Sequence, residues 1–384
     1  MKNKFLMMVS YVLVAAAASV CTMYLFGRQT ETTQKLAALE ALIAERYIGE
    51  VDLEDAADAA ANAMVEALPD RWSYYISADE YQSYLEQMKN VYVGIGVTIE
   101  LTADGKGIHI LKVTPGSPAE RAGICAGDIL THVEGDSVEK LGLSGVREAI
   151  RGTEGSAVDI TLVRQNKTVE VSVTRESIQT QVAVGQMLRD GIGYIKIVNF
   201  DDRCAQETKA AIAALQAQGA KALIFDVRYN PGGYKHELVN LLDYLLPEQV
   251  VFRSEDYAGR VSEDVSDAAY LDMPMAVLVN SESYSAAEFF AAALSDYDAA
   301  VIVGEQTSGK GYFQQTYTLS DGSAVALSVG KYYTPKGESL EGVGITPDVV
   351  CPVDEDTAYK IYIGTLLPEE DPQIQAAVGA LLGK

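Results

Sequence analysis

From Gly191 onward the chain alternates short apolar runs with helical stretches, and that alternation restricts the fold more than any other feature. "GIGYIKIVNF" precedes the helical "AQETKAAIAALQAQG", then come "KALIFDVR", the helical "YKHELVNLLDYLL", "MAVLVN", a helix from Ala286 to about Tyr297, and "AAVIVGE". Strands separated by helices in this way predict βαβ units and a parallel sheet. Right-handed crossovers put successive strand ends on one edge, and open α/β sheets bind ligands beyond the carboxyl ends of their strands. Three segments leave such ends: Asn230-Pro-Gly-Gly233, Ser281 to Ser285, and Glu305 to Gly311. A hairpin of "YFQQTYTL" and "SAVALSVGKYYTP", turning at Ser320-Asp-Gly-Ser323, completes this α/β core.

The remainder divides by pattern. Leu36, Leu39, Leu42, Ile43 and Tyr47 recur at helical spacing, a second helix is predicted after Asp52, and "DRWSYYISADEYQSYLEQMKN" reads as a third. From about Val91 the pattern changes to strands and turns, with short helices at "PAERAGI" and "LSGVREAIRG", which predicts a β-rich module inserted between the helical part and the core. The expected boundaries are 1–27 for an N-terminal segment, 28–88 for the helical region, 89–176 for the module and 177–384 for the core.

Composition removes several classes of function. Thirty basic against 54 acidic residues give a formal charge of −24, which repels nucleic acid and anionic lipid surfaces. Cys21, Cys125, Cys204 and Cys351 lie far apart without a CxxC, so neither a disulfide framework nor a metal site is expected, and no cofactor is implied. Lys2 and Lys4 precede an uncharged stretch from Phe5 to Phe26. That length suits a single membrane span with the amino end in the cytoplasm, or a signal cleaved near Ala15 to Ala18. Either way the rest of the chain is expected outside the cytoplasm, anchored or secreted.

The three strand ends can do chemistry together. A serine becomes nucleophilic when a base takes its proton, and a lysine can be that base when it is neutral. Lys310 and a serine at the helix start form such a pair, while the Gly232-Gly233 turn and the Ala286 amide offer donors to an oxyanion. Ser285-Ala-Ala-Glu288 is also a capping box, which explains a serine there without any catalysis. Among the histidines, His109 and His132 fall in strands of the module, and His236 lies on the helix after the glycine turn.

With these residues assembled, the chain resembles the carboxyl-terminal processing peptidases, also called tail-specific proteases, which pair a PDZ domain with an α/β serine peptidase core. The likeness runs through "VTPGSPAERAGICAGDILTHVEG", "DVRYNPGG", "SYSAAEFFAAALSDYDAAVIVGEQTSGKG", "YYTPKGESLEGVGITPDVV" and "DPQIQAAV". It implies Ser285 as nucleophile, Lys310 as general base, Gln314 as the residue orienting that lysine, and Gly233 rather than Gly232 as the oxyanion glycine. Ala287 and Ser308 depart from the family pattern, where a second serine and an aromatic residue are usual.

In the module, Gly94-Ile95-Gly96-Val97 opens a strand whose amides can receive a peptide's terminal carboxylate while the peptide adds to the sheet edge. The resemblance also makes Arg164 a candidate for coupling peptide binding to activity. The implied function is an exported serine endopeptidase that recognises protein C-termini, with protein or peptide substrates as partners and a homodimer left open. A non-catalytic peptide-binding scaffold and an esterase or amidase using Ser285 with His236 are the alternatives.

Overall fold

A computed structural model describes residues 31–383, so the apolar segment 5–26 lies outside the described residues. Among the described residues no helix is long and apolar enough to cross a membrane. The chain forms two compact units that divide after Arg71. The first holds the helices Glu31–Arg46 and Leu53–Glu66, the latter capped by Asp52, whose carboxylate accepts from the Glu54 amide at 2.9 Å.

The second unit begins at Trp72, inside the stretch expected to be wholly helical. The helix there runs only over Ala78–Met88, and Tyr74–Ile76 is a strand instead. Its partner is Ala324–Tyr333, with Tyr75 opposite Val325. The Tyr-Tyr-Ile run has strand-forming side chains, and a distant sheet edge supplies the hydrogen bonds that a local reading assigns to a helix.

Six strands form the central sheet of the described residues, in the order Ala183–Met187, Ile192–Ile197, Ala222–Asp226, Met275–Val279, Ala300–Gly304, Val349–Val350. The first pair is antiparallel and the others parallel, as alternating strands and helices require. Leu223 and Phe225 face a core built with helices Cys204–Ala217, Lys235–Leu245 and Ala286–Asp296. Ala222 and Ile224 face the opposite core, closed by Ile374, Ala377 and Leu381 of the helix Pro372–Leu382. Burial on both faces explains why "ALIFD" is apolar almost throughout.

A second, antiparallel sheet contains the expected hairpin Tyr312–Thr318 and Ala324–Tyr333. It also contains a hairpin the sequence did not announce, Val250–Asp256 with Val261–Val265. The β-rich module has its own core and a sheet whose edge strand is Val97–Leu101. Chain entry and exit pair with each other, Val91–Gly94 against Glu176–Gln179, so a two-stranded ribbon bounds the insertion.

One polar cluster lies within the central sheet. Arg228, 2% exposed, donates to Asp226 Oδ2 at 2.7 Å and to Asp371 Oδ2 at 2.8 Å. Lys196 Nζ lies 3.3 Å from Asp226 Oδ1, and Tyr194 donates to Asp226 Oδ2 at 2.6 Å. Burial pushes the Asp226 carboxyl up, but the charges of Arg228 and Lys196 outweigh it and hold the group below the ordinary aspartate range. Asp371 also caps the helix Pro372–Leu382 through the amides of Gln373 and Ile374. The cluster therefore joins the strand that leads into the glycine turn to the last helix of the chain.

Asp226→Asn leaves Arg228 and Lys196 short of a buried counter-charge, and the expected loss is about 3–5 kcal/mol in urea unfolding at neutral pH. A depressed carboxyl stabilises the fold above its unfolded value, and that stability is lost as pH falls. Wild-type stability is expected to drop below about pH 4, with a shallower drop in Asp226→Asn.

Candidate active site

Ser285 sits at the turn between the strand Met275–Val279 and the helix Ala286–Asp296, with φ 59° and ψ −126°. A non-glycine residue rarely takes this conformation, and a sharp strand-to-helix turn of this kind presents a side chain beyond the sheet edge. Ser285 is largely buried, 9% exposed. Ser283, fully buried, donates its hydroxyl to the Val227 carbonyl at 2.8 Å and holds the turn in place, while Ser281 faces solvent.

The glycine turn packs directly on this serine. A Cβ on Gly232 would lie 2.8 Å from both Ser285 Cβ and the Ala286 nitrogen, and one on Gly233 would overlap the Phe200 carbonyl. Both residues have positive φ, so a side chain at either is excluded by space and by backbone. The Gly232 amide donates to Asn230 Oδ1 at 2.8 Å, and its carbonyl accepts from Phe200 at 2.8 Å. The turn's own hydrogen bonds leave out the Gly233 N–H, and the bonds of the first helical turn leave out that of Ala286. These are two of the three backbone donors singled out from the sequence; the third, the Gly232 N–H, is taken by Asn230.

Lys310 arrives from the loop after the strand Ala300–Gly304. Its Nζ lies 5.0 Å from the Trp72 ring centroid and 5.6 Å from that of Tyr284, the residue beside Ser285. The two rings lie 6.2 Å apart, stacked at 28°. Aromatic faces at this distance attract and position an ammonium.

Glu288, fully buried, ties the serine turn to the lysine loop at Ser285 and Lys310. Its Oε2 accepts the amides of Ser285 at 3.0 Å and Lys310 at 2.8 Å. Its Oε1 accepts the Gly309 amide at 2.7 Å and the Thr307 hydroxyl at 2.5 Å. Burial pushes the Glu288 carboxyl up against the opposing pull of these donors. Glu341 continues the pattern, accepting the Gly311 amide at 2.8 Å and the Trp72 indole at 3.1 Å. Three successive amides of Gly309-Lys310-Gly311 are thus held by two carboxylates. Sequence reasoning saw Glu288 only as a cap, and it missed Glu341, Trp72 and Tyr284 as neighbours of the lysine.

Gln314 lies at a bulge, where the register against Ala324–Tyr333 shifts between Phe313 and Gln314. Its Nε2 donates to Ser328 Oγ at 2.9 Å, and the Ser328 amide donates to Ser73 Oγ at 3.0 Å. Its Nε2 also reaches the Tyr312 carbonyl at 3.3 Å, so the amide nitrogen is the anchored end of the side chain. Of the two departures, Ala287 is buried in the helix, and the Ser308 amide donates to the Ser283 carbonyl at 3.2 Å. His236 faces solvent, stacked on Tyr234 at 5.4 Å and 3.3 Å from Asp202.

In the β-rich module, the Ile95 and Gly96 carbonyls accept from Ala119 at 2.8 Å and Thr114 at 2.9 Å. In trans peptides this turns the N–H groups of Gly96 and Val97 away from the module's own chain. A cavity of about 350 Å³ is lined there by Gly94, Ile95, Gly96, Val97, Arg147 and Arg151. Arg164 is placed elsewhere: its guanidinium grips Asp128 through two 2.6 Å bonds and donates to the Gly123 carbonyl at 2.7 Å. The bond from Arg164 holds the Asp128 carboxyl below its usual range, against the effect of burial. The arginines that line this cavity are Arg147 and Arg151, carried by and just after the helix Val138–Ile150.

Known proteins share this architecture. Residues 191–351 match the family model for peptidase family S41, and residues 109–164 match that for a PDZ domain. The carboxy-terminal processing protease CtpA of Bacillus subtilis is 31% identical over 385 residues, covering 94% of this chain and 82% of that protein. The chain belongs to peptidase family S41. The "Probable CtpA-like serine protease" of Staphylococcus haemolyticus is 36% identical over 296 residues, covering 76% of this chain and 59% of that longer protein. A solved structure from Bacteroides fragilis, named "Putative S41 protease", superposes with a TM-score of 0.56 at 20% identity, over 83% of this chain and 92% of its own, a likeness of fold. The S41 chain is thus of the serine-type, carboxy-terminal processing kind, with a PDZ domain inserted ahead of the peptidase core.

Glu288→Gln keeps the shape but turns an NH2 group toward donors. The expected cost is about 2–3 kcal/mol in urea unfolding, since donors lose their acceptor in a buried site. Hydrogen exchange at the Gly309 and Lys310 amides should accelerate before the sheet opens, and unchanged exchange there would refute the bridge.

Proposed function

We propose that this S41 chain is an exported serine endopeptidase that captures protein C-termini in its PDZ groove and cleaves through a Ser-Lys acyl-enzyme mechanism. The observation that carries the reading is the Ser285 turn, packed on Gly232 and tied to the Lys310 loop through the Glu288 carboxylate. A serine and a lysine held by one carboxylate at a strained turn suit nucleophile and base better than a helix cap alone.

In this mechanism neutral Lys310 takes the proton from Ser285 Oγ as the oxygen attacks the scissile carbonyl carbon. The tetrahedral oxyanion receives the N–H groups of Gly233 and Ala286. Collapse breaks the C–N bond, and Lys310 returns the proton to the departing amine. A water, deprotonated by Lys310, then attacks the ester carbonyl, releasing the new carboxyl terminus and restoring Ser285. Gln314 orients Lys310 through its free amide oxygen. The Gly96 and Val97 amides, with Arg147 and Arg151 nearby, receive the substrate's terminal carboxylate.

Cleavage of an unstructured protein by the purified chain tests the assignment. Ser285→Ala and Lys310→Ala should each lower kcat/KM by about 10³-fold or more, with a smaller loss in Gln314→Ala. Activity that survives Lys310→Ala and is lost in His236→Ala would replace the Ser-Lys reading with a serine-histidine one. Binding without any turnover by wild type would make the chain a scaffold. Export rests on Lys2, Lys4 and the apolar stretch 5–26. Carbonate-resistant membrane association of the full chain is expected, and a shortened, soluble product would show cleavage of the segment.

A further inference from the structure

The groove beside the PDZ edge strand is not built by the PDZ domain alone. The cavity at the carboxylate loop shares Thr98, Ile99 and Arg147 with a second cavity of about 740 Å³ farther along the strand. Ile99, Leu101 and Leu143 line one side of that second space. Tyr359, Tyr362 and Ile363 line the other, and they belong to the helix Glu355–Ile363 near the far end of the sequence.

We infer that the helix Glu355–Ile363 is the outer wall of the substrate groove, and that Tyr359 and Tyr362 select the substrate side chains just upstream of the captured C-terminus. The inference rests on the capture reading above. A peptide added antiparallel to Val97–Leu101, with its carboxylate at the Gly96 and Val97 amides, runs toward Leu101. At about 3.3 Å per residue, roughly its third to fifth residues from the end lie beside Ile99 to Leu101 and opposite the two tyrosines.

The chemistry of the wall suits an apolar or aromatic side chain. Leu101, Tyr359 and Tyr362 are 38%, 45% and 66% exposed. Single exposed apolar residues are ordinary, but three converging on one concave surface mark a contact site. A carboxylate at this point of the peptide would meet Glu100, which accepts from Tyr359 Oη at 2.6 Å, while Arg147, shared with the first cavity, is engaged by the terminal carboxylate in the capture reading, so acidic residues are disfavoured.

The wall is braced from behind. Tyr229 donates to the Ala358 carbonyl at 3.0 Å, and its ring meets that of Tyr362 at a centroid distance of 5.3 Å. Tyr229 immediately precedes the Asn230-Pro-Gly-Gly turn and has φ 60°. The helix therefore spans from the peptide groove to the turn that offers the oxyanion donor.

Fluorescent peptides on the full Ser285→Ala chain test this without turnover. Peptides carry Phe or Asp at the fourth residue from the end, each with a free or an amidated C-terminus. The Phe peptide should bind about tenfold tighter than the Asp peptide, the effect of burying one large apolar side chain. Tyr362→Ala should reduce that ratio to about twofold or less, and Leu101→Ser, on the opposite wall, should do the same. Tyr359→Phe, which keeps the ring and frees Glu100, should weaken the Asp peptide further. Thermal melts establish that each variant is folded. If amidation weakens every peptide while the Phe preference persists in both Tyr362→Ala and Leu101→Ser, capture stands and the wall is refuted. If free and amidated peptides bind alike, the capture reading falls and the inference falls with it.

Discussion

A buried carboxylate is tolerated only when its lone pairs are satisfied, and Glu288 satisfies its own with the Ser285, Gly309 and Lys310 amides and the Thr307 hydroxyl. The requirement acts in both directions. The helix Ala286–Asp296 can bury Glu288 only if the lysine loop closes over it, and the loop can present Lys310 only because an acceptor collects its amides. Backbone groups are bound here, so the anion sets the chain positions of Ser285 and Lys310, and side-chain geometry follows. Glu341 extends the same logic to Gly311 and, through the Trp72 indole, to one of the rings against the lysine nitrogen.

Strain and rigidity are distributed to match. Ser285 and Tyr229, both non-glycine, have positive φ and lie beyond the carboxyl ends of parallel strands, beside Gly232 and Gly233. Such conformations persist where the surroundings over-determine them. The Asp226-Arg228-Asp371 cluster supplies part of that constraint, because Arg228 follows Asp226 by two residues and precedes the glycine turn by a few. A salt bridge of this kind adds little net stability over an apolar core of equal volume, so its value lies in fixing position. The last helix of the chain, capped by Asp371, thereby takes part in holding the turn beside Ser285.

Much of this was legible because its signals are local. Alternating apolar runs and helices gave the parallel sheet, and parallel strands put Gly232, Ser285 and Lys310 on one edge without any knowledge of contacts. What escaped depends on partners distant in sequence. Tyr74–Ile76 reads as helix until Ala324–Tyr333 offers it a ladder, and Glu288 reads as a cap until the loop 307–310 closes on it. Arg164 looks like an available strand-end charge, yet Asp128, 36 residues away, takes its guanidinium. Arg147 and Arg151 carry no local mark, because a helical charge facing a groove and one facing water share the same spacing.

The lysine shows why such a site cannot be divided into modules. Trp72 enters from the turn just before the first strand of the unit, Tyr284 from the serine turn and Lys310 from a loop after the fourth parallel strand, and only the assembled fold brings the rings within 6 Å of the lysine nitrogen. The strand Tyr74–Ile76 that carries Trp72 into place pairs with the same Ala324–Tyr333 strand that presents Ser328 to Gln314. Displacing that short strand would therefore disturb the surroundings of Lys310 and the support of Gln314 together. Its three residues are a modest anchor on their own, since so few ladder bonds cannot outweigh the entropy of ordering a free segment. Buried Ile76, the Ser73 bond to Ser328, the stacked Trp72 and Tyr284 rings and the indole bond to Glu341 add to it, so the lysine's setting shares contacts that hold the strand.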